Sequence, residues 1–258
     1  MTDSIEQYLS FANRLADISR EILQKNFNNQ IDIQQKPDKS PVTELDIRIE
    51  REIRSLIEKI YPEHGIIGEE LGKHNEKSDF KWIIDPIDGT KLFIAGYPTF
   101  TTLIGLLYKE KPVIGVIDQP ILEQRWSAIS GQLTTYNNEK ITINSNKSLK
   151  QANLATTSTG YFDSEQQQKF NKLSELTGNT ILGGDAYAYM MLAQGRIDIV
   201  VDAGMKPYDF CALPPIIEGA GGIITDWNGN HLTCLSDGSV IAAANKKIHM
   251  EALKKLSE

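Results

Sequence analysis

Cysteine is nearly missing from this 258-residue chain. Cys211 and Cys234 are the only two, with no C-x-x-C pair and no histidine clustered beside them. Neither a disulfide framework nor a thiolate zinc site is expected, and the two thiols read as reduced and structural, as in the cytosol. Histidine is scarce too. His64, His74, His231 and His249 are scattered among expected turns and element ends, which speaks against a Ser-His hydrolase. Positive charge is in deficit, with 27 Lys and Arg against 34 Asp and Glu, a net charge of −7 and a pI near 5.3. That balance argues against a nucleic-acid or anionic-membrane surface, although bound cations would let an acidic cleft accept an anionic substrate. No apolar run reaches the roughly 20 residues of a membrane span, and the first residues lack a signal peptide's apolar stretch. Gly-x-Gly-x-x-Gly and Walker-type loops are absent as well, which argues against a nucleotide-binding protein.

What is present is an ordinary globular composition, 40% apolar and 24% charged, long enough for one large domain or two halves sharing a core. Ile5, Leu9, Ala12, Leu15, Ile18 and Ile22 repeat with a helical period over residues 4–27, and Ser4 with Gln7 resembles a capping box. A polar loop through Lys36-Pro37-Asp38-Lys39 follows. A second helix is expected from near Thr43, striped by Leu45, Ile49, Ile53, Leu56 and Ile60 and stopped by Pro62. Asp46 falls in its first turn, where a carboxylate is favoured by the helix dipole whether or not it has another task.

Ile66-Ile67 and Phe80–Ile84 read as strands ending in Glu69 and Asp85, and a hairpin is expected from 99–107 and 113–117 around a Lys109–Pro112 turn. Further strands are expected near 125–129, 133–136 and 140–143. From about residue 150 the pattern alternates between strands near 152–157, 180–182, 197–202 and 222–226 and helices over 164–176, 185–194 and 209–220. Residues 1–150 are therefore expected to form a helix pair on a largely antiparallel sheet. Residues 151–258 are expected to add an α/β subdomain that completes the site, the two making one compact unit joined near 148–152.

The densest chemistry lies in Trp82-Ile83-Ile84-Asp85-Pro86-Ile87-Asp88-Gly89-Thr90. An apolar strand runs into two acids three apart and then into what reads as a helix start. Asp85, Asp88 and the Ile87 carbonyl offer hard oxygen ligands, which suit Mg²⁺ or Mn²⁺ rather than zinc. Gly89 and Thr90 would turn N–H groups toward a phosphate. An ordinary Asp-Gly turn after a strand would account for Asp88-Gly89 but not for Asp85 or Thr90. Metal ligands beside phosphate-binding amides amount to a phosphoryl-transfer site.

Asp85-Pro86-Ile87-Asp88-Gly89-Thr90, with Phe93 behind it, resembles the signature of the inositol monophosphatase family. Three more segments match in family order: Ser40-Pro41-Val42-Thr43-Glu44-Leu45-Asp46, Gly68-Glu69-Glu70, and Tyr208-Asp209-Phe210-Cys211-Ala212 leading to Glu218-Gly219-Ala220-Gly221-Gly222. Together they cover roughly residues 5–245. The resemblance implies an α/β fold, an αβαβα layered sandwich, and a lithium-sensitive, Mg²⁺-dependent phosphomonoesterase, commonly homodimeric, acting on a small phosphate monoester. It implies Glu69, Asp85, Asp88, Asp209 and the Ile87 carbonyl as metal ligands, with Asp46 serving a further metal or its waters. Two cations about 4 Å apart would serve an in-line displacement. Glu69 and Thr90 would orient or deprotonate the attacking water, while Asp88, Gly89, Thr90 and Asp209 border the phosphate.

The match departs from the usual second signature: Tyr208 stands for Trp, Cys211 for Ala, and Pro214-Pro215 interrupts the expected helix. Such a pair implies a first turn that breaks or kinks. Gly183-Gly184-Asp185-Ala186-Tyr187-Ala188-Tyr189, Lys206–Phe210 and Glu218–Trp227 look more like the histidinol-phosphate phosphatase branch than the inositol branch. Histidinol phosphate carries an ammonium and an imidazole, and Asp185, Asp202 and Glu218 are the acids expected to face them. Tyr187 and Tyr189 read equally well as plain helix-face aromatics. Rival readings are an inositol-1-phosphate phosphatase, a broad sugar-phosphate phosphatase, and a non-catalytic regulator that keeps the fold for binding.

Overall fold

The computed structural model describes residues 4–29, 32–37 and 41–257; Asp38 and Lys39 of the polar loop and Ser40 of the helix-opening segment lie outside them. The first helix, α1 (Ile5–Asn26), begins where the apolar period predicts, with Ser4 and Gln7 closing the expected capping box. A small antiparallel pair, β1 (Ile33–Gln35) and β2 (Pro41–Thr43), leads into α2 (Glu44–Ile60). Thr43 caps that helix by accepting from the Leu45 and Asp46 N–H groups, and Asp46 reaches back to the Thr43 N–H.

Eight strands form the large sheet: β3 (Gly65–Gly68), β4 (Gly72–His74), β5 (Phe80–Asp88), β6 (Thr101–Tyr108), β7 (Lys111–Gln119), β8 (Gln124–Ile129), β9 (Thr135–Tyr136) and β10 (Glu139–Lys140). Their order is β10-β9-β8-β7-β6-β5-β3-β4, antiparallel except for β3 beside β5. A short helix, α3 (Thr90–Ile94), follows β5. The central strands are buried on both faces. Trp82, Ile84, Ile104, Leu106, Ile114 and Val116 pack under α1 and α2, while Ile83, Leu103, Ile117 and Trp126 pack toward the second half of the chain. A one-residue slip would exchange the two sets, so the register is tightly specified.

The second sheet follows the expected alternation and then departs from it. Its elements are β11 (Asn153–Thr156), α4 (Ser164–Ser174), β12 (Asn179–Leu182), α5 (Asp185–Ala193), β13 (Ile199–Asp202), α6 (Pro207–Phe210), α7 (Leu213–Gly219), β14 (Ile223–Thr225), β15 (Val240–Ala243) and α8 (Lys246–Ser257). Strand order is β12-β11-β13-β15-β14, parallel through β12, β11 and β13 and antiparallel at β15. The helix expected over 209–220 is two helices parted at Cys211-Ala212, because Pro214 and Pro215 fit only a fresh first turn.

α5 and α7 fill the space between the two sheets, where Met190, Leu192, Leu213 and Ile216 meet Trp126 and Val200 in one core. α4 and α8 cover the outer face of the second sheet through Phe170, Leu173, Ile248 and Leu256. The layering is thus helix, sheet, helix, sheet, helix. The α7 approach is close: a Cβ on Gly115 of β7 would stand 2.0 Å from the Ala212 carbonyl oxygen, so only glycine fits there. Among the described residues, no helix is long and apolar enough to cross a membrane.

Candidate active site

Asp85 and Asp88 lie three apart, and in a regular strand that spacing sends them to opposite faces. The pairing shows why they converge. Asp85 stands opposite Leu103 and Asp88 opposite Thr101, so β5 spends one residue more than β6 over that step. This bulge turns both carboxylates to the same side. The Asp85 Oδ1 accepts the Ile87 N–H at 3.1 Å, and the Thr102 hydroxyl donates to the Pro86 carbonyl at 2.8 Å, which ties the bulge down. Next door, the Glu69 N–H donates to the Ile84 carbonyl at 3.1 Å, so Glu69 leaves the sheet at the same edge.

The second half supplies the rest. Asp209 sits in the first turn of α6, its Oδ2 accepting the Lys206 N–H at 2.7 Å. It is both the helix-capping acid that its position suggests and a member of the cluster: Asp85, Asp88 and Asp209 each present a carboxylate oxygen within 4.8 Å of the others. Gly183, Gly184 and Asp185 form a run of positive φ, 93°, 107° and 44°, that swings α5 toward β5. The Ala186 N–H then donates to the Asp88 Oδ2 at 2.7 Å. Gly89, at φ 84°, opens α3, and the Thr90 hydroxyl donates to the Ile87 carbonyl at 3.0 Å. A Cβ on Gly89 would lie 3.3 Å from the Asp185 Oδ2, so Asp185 stands directly across from the Gly89-Thr90 turn.

Crowding of like charge shows in proton affinity. Burial first, then the charges of Glu69, Asp88 and Asp209, hold the Asp85 carboxyl well above the usual range. Burial, then Asp185 and Asp209, do the same to Asp88. Asp209 is pushed up to about 7, chiefly by burial. Asp185 is pushed up to about 6 by burial and then by Asp202, with Lys91 pulling the other way.

Asp46 lies behind this group, fully buried. Its Oδ2 takes the Thr43 N–H and hydroxyl, while its Oδ1 has no partner among the described residues. Burial raises its carboxyl to about 6. Lys36 forms ion pairs with the acids at this edge: its Nζ is 2.6 Å from Glu69 Oε1 and 2.7 Å from Glu70 Oε1. Their attraction outweighs the burial penalty and raises the lysine. The sequence marked Lys36 only as part of a polar loop, and no spacing rule picks it out. Beneath the Glu69-Glu70 turn the buried Glu50 accepts the Glu70 N–H at 2.7 Å and the Leu71 N–H at 3.1 Å, and pairs with Arg54 at 2.7 Å.

Glu69, Asp85, Ile87, Asp88, Gly89, Thr90, Asp185, Asp202 and Asp209 all line one cleft of about 410 Å³, a size suited to a small molecule. Lys91, Thr157, Ser158, Tyr161, Met205 and Tyr208 border the same cleft. Asp202 is 3% exposed, and both its oxygens are taken by the Thr156 and Thr157 hydroxyls, the Thr157 N–H and the Tyr189 hydroxyl. Glu218, the third acid expected near a cationic leaving group, is not in the cleft wall. It sits on α7 with its Oε1 3.9 Å from His231, because the break at Cys211-Ala212 sends α7 off between the sheets. Tyr187 also points elsewhere, donating to Gln124 at 2.8 Å and packing edge-on to Trp126.

The donor set fits a hard divalent cation. It is carboxylate oxygen throughout, with no thiolate or imidazole; the three acids crowd like charge into a buried space, and among the described residues Asp46 keeps a buried oxygen without a partner.

The sequence matches the inositol monophosphatase family over residues 4–258. The bifunctional phosphatase IMPL2, chloroplastic, of Arabidopsis thaliana is 44% identical, across 98% of this chain and 75% of its own length. A histidinol-phosphatase of Mycobacterium tuberculosis is 30% identical, across 96% and 97%. The solved structure of an inositol monophosphatase from Zymomonas mobilis superposes with a TM-score of 0.90 at 40% identity, covering all of both chains. The protein is thus a phosphatase of mixed α/β layered architecture. It belongs to the inositol monophosphatase family.

Proposed function

We propose that the protein is a Mg²⁺-dependent phosphomonoesterase that hydrolyses L-histidinol phosphate to L-histidinol and inorganic phosphate. Mn²⁺ would suit the same ligands. The observation that carries the reading is the cleft itself: three converging carboxylates and, beside Asp88, a further acid, Asp185, facing the Gly89-Thr90 turn. In this reading Asp85, Asp88, Asp209, Glu69 and the Ile87 carbonyl hold the cations, with Asp46 behind them. Bound there, the cations supply charge neutralisation and Lewis acidity toward the phosphoryl oxygens.

The side chains do the rest by position. Glu69 accepts the proton of the attacking water, and the Thr90 hydroxyl, already set by the Ile87 carbonyl, orients that water. Gly89 and Thr90 border the phosphate oxygens. Phosphoryl transfer asks mainly for this positioning and for neutralised charge. Asp185 receives the ammonium of the leaving alcohol through a charge-assisted hydrogen bond. Similarity to a histidinol-phosphatase supports the choice of alcohol.

A second reading, inositol-1-phosphate as substrate, is favoured by the likeness to the Zymomonas mobilis enzyme. In the first reading the protein serves histidine biosynthesis in the cytosol, as a lithium-sensitive homodimer. A phosphate-release screen of the Mg²⁺-loaded protein over histidinol phosphate, inositol-1-phosphate, fructose bisphosphate and an adenosine bisphosphate tests it. The specificity constant should be highest for histidinol phosphate. A higher value for inositol-1-phosphate would replace the first reading with the second, and no release from any would leave a binding role.

A further inference from the structure

We infer that Glu50 is a positioning residue for cation binding: from beneath the sheet edge, with Arg54, it clamps the backbone of the Glu69-Glu70-Leu71 turn and so sets where the Glu69 carboxylate stands. Glu50 is not part of the cleft wall, and the role needs no contact with substrate or cation. The inference rests on the proposed reading that Glu69 holds a divalent cation.

The clamp comes from one face of α2. Asp46, Glu50 and Arg54 follow one another at four-residue steps, so they stand in a row along the helix. All three are buried, Glu50 completely. Charged side chains are rarely taken this far from water without partners. Those of Glu50 are the Glu70 N–H at 2.7 Å on Oε2, and the Leu71 N–H at 3.1 Å and Arg54 Nε at 2.7 Å on Oε1. A second nitrogen of the Arg54 guanidinium donates to the Gly72 carbonyl, where the turn ends. Gly68, where the turn begins, has no room for a side chain, because a Cβ there would fall on the Glu50 carboxylate. The turn between the paired Gly68 and Gly72 is thus met at its start, middle and end by two side chains of α2.

Little else fixes this turn. β4 is a sheet-edge strand of three exposed residues, and Leu71 is exposed too, so neither supplies an apolar anchor. The Glu69 N–H is bonded to the Ile84 carbonyl of β5, which fixes one peptide but not the course of the chain after it. Lys36 grips the Glu69 and Glu70 side chains, and a divalent cation would compete with it for the same oxygens. Glu50 holds the turn by backbone N–H groups alone, so its hold persists whichever cation those side chains meet. Groups that orient a metal ligand without touching the metal commonly govern its affinity. Glu50→Gln keeps the shape and replaces one acceptor oxygen by an amide donor. Whichever way the amide turns, that donor faces either the Glu70 N–H or the Leu71 N–H and Arg54, and one side of the clamp opens.

The test is Mn²⁺ titration of the substrate-free protein, read by the EPR signal of free Mn²⁺, for wild-type, Glu50→Gln and Glu69→Gln. It is joined to phosphate release from whichever monoester the wild-type hydrolyses fastest. Glu50→Gln should weaken Mn²⁺ binding about tenfold or more and raise the half-saturating Mg²⁺ concentration by a similar factor. At saturating Mg²⁺ its kcat and KM should return to near the wild-type values, a rescue that damage to the fold alone would not give. If Glu50→Gln binds Mn²⁺ as tightly as wild-type while Glu69→Gln binds it more weakly, Glu50 serves stability alone and the inference is overturned. If Glu69→Gln itself binds Mn²⁺ as wild-type does, the reading of Glu69 as a ligand fails, and the inference with it. Should Glu50→Gln not fold, Arg54→Lys keeps the charge but cannot span Glu50 and Gly72 as the guanidinium does. That variant must weaken Mn²⁺ binding in the same direction, and an unchanged affinity overturns the inference. Substrate identity does not enter: a wild-type preference for inositol-1-phosphate would change the proposed alcohol and leave the role of Glu50 to be decided by the titration.

Discussion

Replacing Asp88 by Asn should make the metal-free protein more stable while nearly abolishing turnover. The oxygens of Asp85, Asp88 and Asp209 stand within 4.8 Å of one another. Two unit charges at that distance repel by about 3 kcal/mol at an effective dielectric of ~20. Solvent reaches Asp88 and Asp209, and their raised proton affinity lets the cluster shed part of the charge, so the relief is smaller than the bare sum. A gain of about 2 kcal/mol is a reasonable size, or about 4–8 °C in melting temperature for a chain of this length. Asparagine keeps an oxygen for the Ala186 N–H, so the link between the halves survives the change. Thermal melts in EDTA and in excess Mg²⁺ read out both effects. In EDTA the variant should melt above wild-type; in Mg²⁺ the order should reverse, because the wild-type gains binding energy that the variant has lost. A variant that melts at or below wild-type in EDTA, or that retains wild-type turnover, would refute the shared-cation cluster.

Other substitutions probe other parts. Thr90→Val keeps the branched shape and deletes the hydroxyl that sits 3.0 Å from the Ile87 carbonyl; kcat should fall more than KM rises, and an unchanged kcat removes Thr90 from the mechanism. Asp185→Asn should lower kcat/KM for histidinol phosphate about ten- to a hundredfold and touch inositol-1-phosphate far less, the size expected for a charge-assisted hydrogen bond. Equal losses on both would make Asp185 structural. Gly115→Ala drives a methyl into the Ala212 carbonyl and should cost about 2–3 kcal/mol or more in urea unfolding, with a stability near wild-type counting against the close α7 packing. His249 is buried with its Nε2 2.9 Å from the Thr225 hydroxyl, and burial lowers it from 6.5. The unfolded chain then takes up a proton that the folded one resists, so its contribution is complete above about pH 6.5 and declines as pH falls below it. His249→Gln should flatten the stability difference between pH 7.5 and 5.5, and an unchanged slope would exclude His249 as its source.

Local chemistry was readable without the fold. The Ser4 and Thr43 caps, the apolar stripes of α1 and α2, the strand into Asp85 and the break forced by Pro214-Pro215 all depend on residues within a few positions of one another. So does the pairing of hard ligands at Asp85 and Asp88, and the family motifs extended it to Glu69 and Asp209. β15 and α8 were not anticipated: their apolar residues follow a run of turns, and it is β13, in place before them, that selects the antiparallel pairing.

Tertiary structure decided the rest, because those outcomes rest on partners distant in sequence. The bulge that turns Asp85 and Asp88 to one side exists only against β6. Lys36 meets Glu69 and Glu70 across 33 and 34 positions, a contact with no local signal. Of three acids expected to face the alcohol, Asp185 lines the cleft with no hydrogen-bond partner among the described residues, Asp202 is filled by Thr156, Thr157 and Tyr189, and Glu218 faces His231 elsewhere. Composition and spacing name the carboxylates of this protein; whether a carboxylate is left free, filled or turned away depends on which donors the packed core brings within hydrogen-bond reach.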